Sequence, residues 1–172
     1  FIKDLANTKF NKIEYRDAIK VLQDAIAAGT KFDNTNVEFG TDLDTDHERY
    51  ISEVHSNVIP TYVYNYPSKI KSFYMYQNED DTCRGFDMLV PRIGELIGGS
   101  QREESFEKLS QTIKAKGLDV TELDWYVNLR KQGYAPSTGF GLGFERLIML
   151  LTGVENIRDT IPFPRTPGKL NF

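Results

Sequence analysis

The chain has 172 residues, 40% of them apolar, 27% charged and 12% aromatic, which describes one globular domain and excludes disordered, collagen-like and disulfide-stapled architectures. Its 21 Lys and Arg against 25 Asp and Glu leave a net charge of −4, so non-specific attraction to polyanions is weak and any nucleic acid has to be recognised locally. A single cysteine, Cys83, excludes an internal disulfide and a thiolate-rich zinc site and suits a reducing, cytoplasmic setting, while no apolar stretch nears the ~20 residues that a bilayer requires.

Tyr15, Ala18, Ile19, Leu22 and Ile26 recur at helical spacing, with Gly29 where a C-terminal cap is wanted, and predict a first helix. Residues 30–44 read as a loop with a short strand around Val37 and Phe39, leading into a helix capped by Asp44 or Thr45 that runs to about His55. His47 and His55, eight apart on that helix, have no ligand-like neighbours and read as surface residues. Residues 61–64, 73–76 and 85–90 are rich in aromatic and β-branched side chains and predict three antiparallel strands. Residues 94–97 make a fourth, ending at Gly98-Gly99-Ser100. Two helices follow over 103–117 and 121–132, then a glycine-rich strand, an apolar helix closed by Gly153, and an irregular tail carrying Pro162, Pro164 and Pro167.

In the last helix Phe144, Leu147, Ile148 and Leu151 fill one face while Met149 and Leu150 cover the flanks, so it is expected to be buried all round. Arg146 projects from the opposite side. A guanidinium in such surroundings has to meet an anion or line a polar cavity, the alternative being a structural ion pair with Glu145. Gly139, Gly141 and Gly143 leave one strand face bare, so that a flat group or another backbone can approach closely. With no third glycine in register and no βαβ unit after it, the run is not a dinucleotide fingerprint. Asp87 and Glu95 lie on consecutive predicted strands, with Ser100 just beyond the glycine pair. Facing one cavity they would suit a hard cation such as Mg²⁺ held mainly through phosphate oxygens, and otherwise they form a solvated face.

The segment Gly139-Phe140-Gly141-Leu142-Gly143-Phe144-Glu145-Arg146-Leu147 resembles the third signature motif of class II aminoacyl-tRNA synthetases. Its continuation over 152–167 is similar to the asparaginyl members of that family rather than the aspartyl or lysyl ones. So is Ile93-Gly94-Glu95-Leu96-Ile97-Gly98-Gly99-Ser100-Gln101-Arg102-Glu103-Glu104, and Asp46-His47-Glu48-Arg49-Tyr50 and Ile70-Lys71-Ser72-Phe73-Tyr74-Met75 fall in the same order. The resemblance implies an α+β fold, part of the class II antiparallel β-sheet flanked by helices. Residues 1–172 would form one domain, the C-terminal portion of the catalytic domain, with the anticodon-binding OB-fold and the first two motifs absent.

The activity implied is that of an asparagine-tRNA ligase, which uses ATP to form asparaginyl-adenylate and passes the acyl group to its tRNA. The piece itself would be inactive alone and its parent a homodimer. Carried over position by position, Arg146 would stack on adenine and reach the γ-phosphate, and Gly139, Gly141 and Gly143 would floor the nucleotide site. Glu95 would hold Mg²⁺ with Ser100 and Asp87, and Arg102 would bind the side-chain carbonyl of asparagine. Ser137 stands where relatives usually carry a histidine. An aspartyl-tRNA synthetase, an amidating paralogue and a non-catalytic, synthetase-derived binding module remain open as alternatives.

Overall fold

The computed structural model describes residues 1–168. It is built on a five-stranded sheet in which β1 (Asn11–Glu14), β2 (Thr61–Pro67), β3 (Thr82–Val90), β4 (Gly94–Gln101) and β5 (Thr138–Leu142) lie side by side in that order. Only β1 runs parallel to its neighbour; the other pairings are antiparallel. A short α1 (Ile2–Asn7) precedes β1, and the first two elements carry no periodic signal long enough to have announced them.

Helix α2 (Tyr15–Ala27) forms where the periodicity predicts, burying Tyr15, Ala18, Ile19 and Leu22 along one stripe, and Gly29 follows it at φ +96° in the left-handed closing conformation. That stripe packs on Val63, Tyr66, Cys83 and Leu89 of the sheet. The Tyr15 hydroxyl donates to the Thr41 carbonyl (2.5 Å) and accepts from the Gly40 N–H, tying down the loop before Asp44, and burial pushes its pKa up to about 12. On the other face of the sheet, Met88, Val90, Ile93 and Leu96 meet α6 (Phe144–Thr152). A third cluster, Leu109, Ile113 and Val127, joins α4 (Phe106–Ala115) to α5 (Asp124–Lys131).

Four expectations change. Residues 73–76 form a turn with isolated bridges Met75–Arg102 and Gln77–Cys83, because both edges of β3 are already paired with β2 and β4 and leave no ladder for another strand. No strand forms around Val37, which is buried under α2 with its carbonyl held by the Gln23 side chain (2.8 Å). The helix after Asp44 is α3 (Thr45–Arg49), widening into a π-helical turn over Tyr50–His55. His47 is fully buried on it: Nδ1 accepts from the Asp44 N–H (3.2 Å) and Nε2 donates to the Asn34 carbonyl (2.8 Å), while His55 is exposed. Finally, α6 buries no residue. Leu147, Met149 and Leu150 are half-buried against the sheet, but Phe144 and Leu151 are 64% and 57% exposed, since the helix is covered from one side only.

No helix among the described residues is long and apolar enough to cross a membrane. Leu22, with no exposed surface, sits at the centre of the α2 contact, so Leu22→Ala is expected to cost about 3 kcal/mol in urea unfolding of the protein that carries this segment. A loss below about 1 kcal/mol would contradict this packing.

Candidate active site

Strand register sets the site. Asp87 pairs with Gly98, which pairs with Gly141, and Ser100 pairs with Gly85 and Gly139, so one face of the sheet carries Asp87 and Ser100 above a floor of glycines. An irregularity after Met88 brings Glu95 opposite Leu89 and onto that same face. A Cβ placed at Gly98 would lie 2.6 Å from Oε1 of Glu95 and 3.2 Å from Oδ1 of Asp87; the two carboxylates therefore converge over that residue.

Around this pair lies a cavity of about 250 Å³. Its carboxylates are Asp42, Asp44, Glu48, Asp87 and Glu95, and its cations are Lys71 and Arg146. Arg146 enters from α6 and donates from Nη1 to the backbone carbonyl of Glu95. Among the described residues it makes no ion pair with Glu145; it lines the acidic cavity instead. Lys71 binds Oδ2 of Asp87 at 2.6 Å, with its ammonium 3.9 Å above the Tyr66 ring. From α3, Oε2 of Glu48 accepts the backbone N–H of Glu95 (2.9 Å).

The electrostatics follow from crowding like charges in a partly dry place. Burial pushes the pKa of Glu48 up to about 7, with the N–H of Glu95 pulling the other way. Burial and the charge of Asp87 push Glu95 up, opposed by Lys71 and Arg146. Burial, then Asp87, lifts Tyr66 well above the usual phenol range.

Beside this cavity, Ser100 is fully buried and its hydroxyl accepts from Nη1 of Arg102 (2.7 Å). Ser100 does not line the acidic cavity; it belongs with Arg102, whose guanidinium lies 4.6 Å from the Tyr74 ring and whose backbone N–H donates to the Ser137 carbonyl (2.8 Å). A Cβ at Gly139 would come within 2.6 Å of Nη2 of Arg102, whereas one at Gly141 would meet nothing within 4 Å. Gly143 caps α6 and lies against the stem of Arg146. The Ser137 hydroxyl pairs with that of Tyr134 at 2.6 Å.

Sequence reasoning assigned no role to Glu48, Lys71, Tyr66 or Asp42, and gave Asp44 only that of a helix cap. The segments around Glu48 and Lys71 stood out, but nothing in a lone sequence says that a helical glutamate turns inward toward a strand residue 47 positions later.

The chain matches the family of class II tRNA synthetases (D, K and N) over residues 2–167. It belongs to that family. It is 55% identical over 172 residues to an asparagine-tRNA ligase of Mycoplasma capricolum, a match covering 99% of this chain and 38% of the relative. It superimposes on the crystal structure of asparaginyl-tRNA synthetase from Pyrococcus horikoshii complexed with asparaginyl-adenylate with a TM-score of 0.83 and 41% identity, over 94% of this chain and 36% of that one. Against an aspartyl-tRNA synthetase from Entamoeba histolytica the TM-score is 0.79 and the identity 29%, over 94% of this chain and 33% of that one. The chain thus spans about 38% of the length of the curated relative it matches.

Because burial raises the folded-state pKa of Glu48 from 4.5 to about 7, the folded protein holds that proton more tightly than the unfolded chain; this stability is present below about pH 4.5 and lost as pH rises through 7. Glu48→Gln removes the dependence. Measured without divalent cations, E48Q is expected to match the unsubstituted protein near the lower pH and to exceed it above the higher one by up to about 3 kcal/mol. A difference independent of pH would contradict this.

Proposed function

We propose that this chain supplies part of the ATP and amino-acid site of an asparagine-tRNA ligase acting in the cytoplasm, within a homodimeric parent that binds ATP, asparagine and tRNA. The observation that carries the reading is the meeting of Arg146 with Asp87 and Glu95 at one cavity beside a glycine floor. In the reaction, the carboxylate of asparagine attacks the α-phosphorus of ATP and the bond to pyrophosphate breaks. A hydroxyl of the terminal adenosine of the tRNA then attacks the acyl carbon, and AMP leaves. Neither step needs a side-chain nucleophile; both need positioning and charge neutralisation.

Arg146 supplies a fixed positive charge for the nucleotide, its guanidinium oriented by the Glu95 carbonyl. Gly139, Gly141 and Gly143 keep the approach clear, Gly141 most openly. Glu95 and Asp87, hard oxygen donors converging over Gly98, fit Mg²⁺, with Ser100 at the neighbouring position on the same face. Mg²⁺ held there would neutralise phosphate oxygens. Arg102, steadied by Ser100 and Tyr74, offers N–H donors to the asparagine side-chain carbonyl.

Arg146→Ala in the full-length ligase is expected to lower asparagine-dependent ATP–pyrophosphate exchange by about 10²–10³-fold with unfolding unchanged. Near-normal exchange would show the arginine to be structural. Gly139→Ala displaces Arg102 and is expected to raise the KM for asparagine more than that for ATP. An effect confined to ATP would place Arg102 elsewhere in the reaction.

A further inference from the structure

Glu48 is 8% exposed at the edge of the acidic cavity, and its carboxylate sits against the turn that begins β4. Oε2 accepts the Glu95 N–H at 2.9 Å, and Gly94, at φ +85°, leaves room for it: a Cβ there would lie 2.5 Å from that same oxygen. On its other side, the carbonyl of Glu95 receives Arg146. Glu95 is thus held at its N–H by α3 and at its carbonyl by α6, and the orientation of its side chain toward Asp87 depends on both anchors.

We propose that Glu48 is a positioning residue: by accepting the Glu95 N–H it fixes the strand start that aims the Glu95 carboxylate and seats Arg146, and so sets affinity for metal-bound nucleotide through that backbone contact rather than through its own charge. The inference rests on the ligase reading above. What the role requires is a hydrogen-bond acceptor at that point, since the partner is a neutral N–H. A glutamine oxygen satisfies it; a leucine removes it, and an aspartate withdraws it by one methylene while keeping the charge.

The test uses the full-length ligase carrying this segment. Calorimetric titration with Mg²⁺ and a non-hydrolysable ATP analogue is read beside the KM values for ATP and asparagine in pyrophosphate exchange, with circular dichroism to verify folding. E48L is expected to weaken analogue binding and raise the KM for ATP by about tenfold or more, leaving the KM for asparagine within about threefold, and E48Q is expected to stay within about threefold throughout. A folded E48L with unchanged nucleotide binding overturns the proposal, as does an E48Q that falls as far as E48L. If E48L does not fold, E48D decides: weakened analogue binding supports the role and unchanged binding overturns it. Absence of asparagine-dependent exchange in the unsubstituted enzyme would defeat the ligase reading, and the analogue titration would still decide the role of Glu48.

Discussion

One residue, Glu95, ties β4 to two helices: α3 holds its N–H through Glu48 and α6 holds its carbonyl through Arg146. The sheet alone would leave its carboxylate and that of Asp87 as two acids on adjacent strands, the arrangement that most often faces solvent. The two helices turn them into part of the wall of a charged cavity. Elsewhere the fold serves that contact. The apolar stripe of α2 fixes the sheet, Tyr15 pins the loop before α3, and α6 lies on the opposite face so that only its arginine reaches across.

Five carboxylates against two cations in about 250 Å³ is an arrangement that folding by itself does not favour, since buried like charges raise one another's pKa and cost stability. Lys71 answers Asp87 directly, but Glu48 and Glu95 both remain shifted upward. A site that keeps this excess of negative oxygen donors is suited to receive positive charge from outside, which fits a nucleotide arriving with a divalent cation.

Much of this was legible in the sequence where a local rule carried the signal. The periodicity of α2, the glycine alternation of β5 and the lone arginine of an apolar helix each depend on a few neighbouring residues, and each appears where expected. Long-range competition defeated the rest. Phe73 to Tyr76 has strand composition but finds β3 fully paired, and the apolar character of α6 suggested burial although Phe144 and Leu151 stay exposed. His47 looked like a surface residue because its two partners, the Asp44 N–H and the Asn34 carbonyl, are backbone groups that no side-chain pattern reveals. Glu48 was missed for the same reason: its partner is a backbone N–H 47 positions along the chain.

If the site binds nucleotide as proposed, Asp87 and Glu95 form its cation-binding edge and Arg146 completes it. Mn²⁺ is a detectable replacement for Mg²⁺, and a crystal of the full-length protein grown with it and an ATP analogue tests the claim through anomalous scattering. The Mn²⁺ peak is expected against the carboxylates of Glu95 and Asp87, with the phosphates directed at Arg146. Nucleotide and metal bound instead in the roomier cleft lined by Ser68, Lys69, Phe73 and Lys116 would contradict it.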